Sequence, residues 1–268
     1  MNGKSGHFPA SSPLIIAHRG ASVVAPENTL AAFSRAIKDG ADGIEFDVRL
    51  SRDQVPVVIH DATLERTGLT NGLVGELTAN ELRMLDVGSW FDSRNPDSNS
   101  SYAGENLPTL EQVLELFKEQ SSLLYLEMKP GPAVGGTRLA VEVLRYIRNY
   151  QMSDRVVVKS FDLSAIAEVK RIASGIRTAA LFEPRLTRPF STVRRMKMVD
   201  FAVQCAADEI ALHHTLVSPR VIEKAKGAGL EIVVWTVDKP DWIQRARTLR
   251  IKAIITNDPA TMLQNRDR

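Results

Sequence analysis

The sequence predicts an α/β protein, a TIM-type (β/α)8 barrel with a small insertion after the second of two strand-end histidines. Short apolar, β-branched runs alternate with helical patterns, which argues for parallel βαβ units. The length of 268 residues admits one large α/β barrel or two small domains, and the alternation favours a single barrel across 1–268. One connection too short for a parallel crossover singles out a hairpin.

Leu14–Ala17 is the first strand candidate and runs straight into His18-Arg19-Gly20. Thr29–Asp39 is the first helix, with Asn28 as its N-cap candidate and Gly40 just beyond its end. In the next strand, Gly43–Val48, Glu45 and Asp47 stand two residues apart. Val57–Ile59 then delivers His60-Asp61. Only Leu50–Pro56 separates these two strands, whereas a parallel crossover needs roughly a dozen residues. Val57–His60 is therefore expected to fold back as an antiparallel partner, bringing His60 close to Glu45.

Residues 61–107 interrupt the pattern. They carry turn residues (Asn71-Gly72, Gly88, Asn95-Pro96, Gly104) and one short helix signal, Thr78–Leu85. The stretch is too long for an ordinary barrel loop and is read as an inserted lid or subdomain spanning 61–108. Its Trp90-Phe91 pair either caps the pocket or packs the insertion itself. Thr109–Glu119 resumes the helical spacing with Leu110, Val113, Leu114 and Phe117 after Pro108. Leu123–Glu127, Val156–Val158, Thr178–Phe182, Phe201–Gln204, Glu231–Trp235 and Ala253–Ile255 complete the strands. The helix candidates Pro219–Gly227 and Pro240–Thr248 each open on proline, which suits a first turn.

A net charge of +2 implies no strong field toward nucleic acid or a membrane surface. The single cysteine, Cys205, excludes an intramolecular disulfide and reads as a small buried apolar residue. The Gly-, Ser- and Pro-rich start shows no apolar leader, and the apolar runs are too short to span a bilayer, so a cytoplasmic protein is expected. Oligomeric state is left open.

The chemistry sits at strand ends. Residues two apart on a strand share a face, so Glu45 pairs with Asp47, and Glu127 with Lys129. Carboxylates aimed into a strand-built core are costly unless compensated. The simplest account is a buried all-oxygen site for one divalent cation on Glu45, Asp47 and Glu127. His18 and His60 flank it, with the cationic side chains Arg19 and Lys129. Oxygen ligands suit Mg²⁺ or Ca²⁺ more than Zn²⁺. The paired imidazoles can serve as general base and general acid; the residues leave open which is which, and analogy with paired-histidine lyases favours His18 as base and His60 as acid.

A series of motifs in order resembles the glycerophosphodiester phosphodiesterase family. It comprises His18-Arg19-Gly20, Pro26-Glu27-Asn28-Thr29, Ile44-Glu45-Phe46-Asp47-Val48, Val57-Val58-Ile59-His60-Asp61, Leu64-Glu65-Arg66-Thr67, Leu107-Pro108-Thr109-Leu110, Leu126-Glu127-Met128-Lys129, Ser160-Phe161 and Trp235-Thr236-Val237. The resemblance runs from Ile16 to about Pro259. It implies a TIM barrel inserted after the second histidine, and metal-dependent cleavage of glycerophosphodiesters to glycerol 3-phosphate and an alcohol. It also implies metal ligands Glu45, Asp47 and Glu127, catalytic His18 and His60, and phosphate contacts from Arg19 and Lys129. The implied partner is a small glycerophosphodiester, with no nucleic acid and no stable membrane insertion. Departures from the family pattern at Ser51, Gln54, Lys159 and Asn257 are expected to touch turns and the rim.

Other residues divide more evenly. Trp235 and Phe161 either stack on the substrate or pack as ordinary aromatics. Glu27 either braces the site or caps a helix, Asn28 reads as a cap, and Asp61 either orients His60 or caps a turn. His213 and His214 are expected on a solvated loop or helix face, His7 in a tail, and Arg185–Lys197 on a solvated basic helix. The rival enzymatic readings are a phosphatidylinositol phospholipase C type lyase, which needs no carboxylate triad, and a lysophospholipase D or sphingomyelinase D type activity. The latter needs an apolar entrance, for which Trp90, Phe91 and Phe161 are candidates. A non-catalytic barrel would be expected to have lost a histidine or a ligand, and none is missing.

Overall fold

The structure, a computed structural model, describes residues 12–96, 100–131, 135–184 and 192–267. Eight parallel strands form a closed barrel: β1 (Leu14–His18), β2 (Gly43–Leu50), β4 (Leu123–Met128), β5 (Val156–Ser160), β6 (Arg177–Phe182), β7 (Glu209–His213), β8 (Glu231–Trp235) and β9 (Ala253–Thr256). Pairing of β1 with both β2 and β9 closes the ring. The ninth strand, β3 (Pro56–Val58), runs antiparallel to β2 with Val48 opposite Val58. The short link therefore makes the expected hairpin.

The strands are apolar on both faces because one face lines the barrel and the other meets helices. Leu14, Ile16, Tyr125, Val157, Ala179, Leu181, Ala211, Val233, Ala253 and Ile255 form the interior cluster. Their neighbours of opposite parity, such as Ile15, Ile44, Phe46, Leu126 and Val158, pack outward. A charged layer closes the bottom. The buried Glu209 accepts hydrogen bonds from Tyr125 Oη (3.0 Å), Arg177 Nη2 (3.0 Å) and Lys252 Nζ (2.6 Å). By the same parity His18, Glu45, Asp47, Glu127, Lys159, His213 and Trp235 point inward at the opposite end.

Helices α1 (Leu30–Lys38), α4 (Leu110–Leu116), α5 (Gly136–Asn149), α6 (Leu163–Ile172), α7 (Thr192–Gln204), α8 (Pro219–Gly227), α9 (Asp241–Leu249) and α10 (Pro259–Arg266) lie between and after the strands. Helix α1 is capped by Thr29, whose Oγ1 accepts from Ala32 N, and not by Asn28. The expected strand Phe201–Gln204 is the last turn of α7. Met198, Val199, Ala202 and Cys205 are buried at helical spacing, while Phe201 and Val203 are exposed. The true strand, β7, is short and has polar ends, which hid it.

After β3 the chain forms the short helices α2 (Ala79–Leu82) and α3 (Ser89–Arg94). This segment packs around Leu64, Val74, Leu82 and Val87, with Val57, Ile59 and Leu107. Trp90 and Phe91 are 8% and 5% exposed and meet edge to face, so they pack the insertion and do not cap the pocket. His7, Arg185 and Arg188 lie outside the described residues, as does the side chain of Arg194. Of the basic stretch, Arg195 is half-buried and Lys197 exposed on α7.

Candidate active site

The predicted site residues lie at or just past the C-terminal ends of strands, except Glu45 and Asp47, which lie within β2, a strand that runs on beyond them into the hairpin with β3. All belong to the face where barrel enzymes carry their chemistry. His18 ends β1. Arg19 (φ 55°) and Gly20 (φ 83°) then turn the chain back in two consecutive left-handed conformations. A Cβ on Gly20 would lie 2.6 Å from the Ala32 carbonyl carbon, so only glycine fits between β1 and α1.

The two histidines are held differently. His18 Nδ1 lies 2.7 Å from Asn257 Oδ1, and Asn257 Nδ2 donates to Asp238 Oδ2 at 2.8 Å. A carboxylate only accepts, so it fixes which end of the Asn257 amide faces His18. His18 Nδ1 must then donate to the amide oxygen, leaving Nε2 facing Glu45 Oε2 at 3.8 Å. His60 follows β3, and its Nδ1 lies 2.7 Å from Asp61 Oδ1. Arg49 fixes the His60 backbone, donating from Nε and Nη2 to its carbonyl at 2.9 and 2.7 Å. The predicted pair is thus assembled with one neutral and one anionic partner.

Glu45, Asp47 and Glu127 are buried and converge, with one oxygen of each within 4.8 Å of the others. Strand register explains this, since Asp47 is aligned with Glu127 and His18 with Glu45. Cations of the chain surround them. Lys129 Nζ is 2.5 Å from Glu127 Oε1 and 3.3 Å from Asp47 Oδ1. Arg19 Nε is 3.2 Å from Asp47 Oδ2. Lys159, only 2% exposed, puts Nζ 2.7 Å from Glu45 Oε1 and 3.3 Å from Glu127 Oε2. The expectation of Lys159 at the rim is wrong, because the parity of Val157 carries its side chain into the barrel. Asn257, half-buried in the bend past β9, does lie at the rim, where it is also the partner of His18. Asn28, at φ 59°, donates from Nδ2 to Asp47 Oδ2 at 2.9 Å and accepts from Asp47 N at 3.2 Å. It braces a carboxylate instead of capping α1.

Burial opposes the charge on Asp47, but Lys129 and Arg19 outweigh it and hold the carboxyl far below its usual range. Burial likewise opposes charge on Lys159, and Glu45 and Glu127 overcome it, raising its pKa. Arg19 is raised against its burial by Asp47 and Glu27.

Phe161 and Trp235 stand at the tops of β5 and β8, with ring centroids 5.5 Å apart, edge to face. Lys129 Nζ lies 5.9 Å from the Phe161 ring centre. His213 meets Trp235 at 5.4 Å, so it ends β7 at this mouth and is not on a solvated helix or loop. His214 opens a single 3₁₀ turn, with Nδ1 3.0 Å from the Thr236 carbonyl. Beside Lys129 lies a recess of about 230 Å³ lined by Leu50, Leu73, Val74, Pro130 and Leu139, with Arg49.

The sequence model of the glycerophosphoryl diester phosphodiesterase family matches residues 18–261. Over 252 residues the chain is 34% identical to a glycerophosphodiester phosphodiesterase of Caldanaerobacter subterraneus subsp. tengcongensis, covering 93% of this chain and 96% of that protein. The crystal structure of glycerophosphodiester phosphodiesterase from Agrobacterium tumefaciens is similar at 29% identity and a TM-score of 0.76, with 94% and 99% of the two chains covered. An Oleispira antarctica phosphodiesterase, solved in complex with the product sn-glycerol-3-phosphate, shares the fold at 24% identity and a TM-score of 0.83, covering 96% of this chain and 98% of that one.

Proposed function

The chain belongs to the glycerophosphoryl diester phosphodiesterase family, and from that premise we propose that it hydrolyses glycerophosphodiesters to glycerol 3-phosphate and an alcohol by paired-histidine catalysis with one divalent cation. The observation that carries the mechanism is the contrast between the ring partners, Asn257 for His18 and Asp61 for His60.

His18 Nδ1 donates to a neutral amide, so its Nε2 keeps a lone pair and is suited to take a proton. His60 Nδ1 donates to a carboxylate, an anion that stabilises a ring carrying two protons. We assign His18 as base toward the glycerol hydroxyl next to the phosphoester, and His60 as acid toward the departing oxygen. Attack by that hydroxyl gives a cyclic phosphate, which water opens with the histidine roles exchanged. Direct attack by water is the competing route. Arg19 and Lys129 hold the phosphate, and Trp235 and Phe161 wall the pocket.

Glu45, Asp47 and Glu127 would hold the cation. Their donor set is all oxygen and converges, with Glu45 Oε1 facing Lys159 Nζ at 2.7 Å and Asp47 Oδ1 facing Lys129 Nζ at 3.3 Å. Mg²⁺ and Ca²⁺ suit such donors. The ion would supply charge stabilisation for the phosphoryl oxygens in the transition state. Residues 61–108 are part of the same proposal as an insertion within one barrel domain.

The recess beside Lys129 favours a second reading of lysophospholipase D type, in which it takes the acyl chain carried by the substrate's glycerol while the headgroup alcohol departs. A product assay on glycerophosphocholine, glycerophosphoethanolamine and a lysophospholipid, with and without Mg²⁺ or Ca²⁺, separates the two. Glycerol 3-phosphate from the water-soluble diesters supports the first reading, and its absence with all of them refutes it. Phosphorus NMR during turnover reveals or excludes the cyclic phosphate.

A further inference from the structure

We propose that Lys159 is a resident competitor for the metal centre, a buried ammonium that holds Glu45 and Glu127 and keeps divalent-cation binding there weak and exchangeable. This rests on the reading of Glu45, Asp47 and Glu127 as the metal ligands.

Lys159 is the register partner of Glu127 across β4 and β5. At 2% exposure its side chain cannot move its charge out to water, as surface lysines do. It lies within ion-pair distance of two of the three converging acids, at 2.7 Å from Glu45 Oε1 and 3.3 Å from Glu127 Oε2. Its contacts differ from those of Lys129, which is partly exposed at the mouth and spans Glu127 and Asp47.

Charge counting gives the consequence. Glu45, Asp47 and Glu127 carry three negative charges, and Lys159, Lys129 and Arg19 carry three positive ones beside them. The cluster is therefore neutral before any ion arrives. A divalent ion among these carboxylates must sit a few ångströms from the Lys159 ammonium, and like charges at that range repel strongly even with the screening of a protein interior. Lys159 also bridges Glu45 and Glu127 and so holds these buried carboxylates in place when no ion is bound. The site is thereby preformed and readily exchanges its metal.

The test is Mg²⁺ and Ca²⁺ binding by calorimetry for the wild type, Lys159→Gln, Lys159→Met and a Glu45→Gln control, with melting temperature followed in chelator and in added metal. Removal of the ammonium is expected to tighten binding roughly tenfold or more. Melting in chelator should fall in both Lys159 variants, and the rise on adding metal should exceed that of the wild type. If Lys159→Met folds only with metal present, that dependence is itself the expected direction, and Lys159→Gln supplies the affinity. Wild-type binding that is lost in Glu45→Gln but equal or weaker in both Lys159 variants would overturn the assignment and leave the metal centre standing. Absence of binding in all four proteins would overturn both.

Discussion

Arg66 donates two parallel hydrogen bonds to Glu27, from Nη1 to Oε2 at 2.7 Å and from Nη2 to Oε1 at 2.8 Å. Its Nε donates to Asp61 Oδ2 at 2.5 Å, and the other oxygen of Asp61 holds His60. Glu27 also accepts from Arg19 Nη1 at 2.8 Å. One guanidinium from the insertion thus links the orientation of His60 to that of Arg19, with Trp90 and Arg94 stacked behind it.

Lysine cannot reproduce that planar fork. Arg66→Lys should lower kcat/KM roughly 10–100-fold, as loss of an outer-shell partner typically does. The pH–rate profile should move on the limb assigned to His60, while circular dichroism stays native. An unchanged profile with reduced melting temperature would leave Arg66 a purely structural role.

Glu27 gives a pH prediction. Burial opposes its charge, but Arg66 and Arg19 prevail and hold its carboxyl below the ordinary glutamate value of 4.5. A depressed acid contributes stability that is complete above the unfolded-state value and is lost as pH falls through the lower folded one. Wild-type melting temperature should therefore decline below about pH 4.5. Glu27→Gln should cost roughly 2–3 kcal/mol at neutral pH and show a shallower decline in acid. Parallel curves for the two proteins would contradict this.

The early strands were legible because their chemistry follows two-residue parity. Leu14–His18 places His18 at its end and Gly43–Leu50 places Glu45 and Asp47 on its inward face, and the five-residue link after Leu50 forced a hairpin. The same parity applied to Val157-Val158-Lys159 would have put Lys159 inside, but an isolated lysine reads as a surface charge. Asn28 and Asn257 were missed for a different reason. Their roles depend on partners far along the chain, Asp47 and His18, and nothing local marks an asparagine as a brace. His213 was misplaced because β7 itself was missed, the apolar end of α7 having taken its place in the count.

The acid triad gives a third prediction, with a sign that sequence alone would reverse. Three clustered carboxylates repel one another, so neutralising one would be expected to stabilise the metal-free protein. Here Asp47 is paired with Arg19, Lys129 and Asn28. Asp47→Asn should instead lower the melting temperature in chelator, since it takes one of two carboxylate partners from each of two partly buried cations. Activity should fall at least about 100-fold, the scale of a lost metal ligand. A variant that melts higher in chelator would show that repulsion dominates.

The last prediction separates the histidines. Base and acid roles require one neutral and one protonated ring in the active form, so the rate should have a bell-shaped pH dependence. His18→Ala and His60→Ala should each lose roughly 10²–10⁴-fold in kcat on a natural diester. The double variant should be little worse than the poorer single one, because the pair acts as one proton relay. A nitrophenyl phosphodiester has a leaving group that hardly needs a proton. On that substrate His60→Ala should recover most of its loss, whereas His18→Ala should stay equally impaired, because the attacking hydroxyl still needs a base. The assignment follows from the partners, a neutral Asn257 oxygen at 2.7 Å from His18 and the Asp61 carboxylate at 2.7 Å from His60. Exchanging them should therefore matter selectively. Asp61→Asn should impair the natural diester more than the activated one, and Asn257→Asp should impair both alike, since a carboxylate on His18 favours the protonated ring that cannot accept. Selective rescue of His18→Ala by the activated ester would reverse the roles. Equal damage to both single variants on both substrates would show that the rings bind phosphate and do not move its protons.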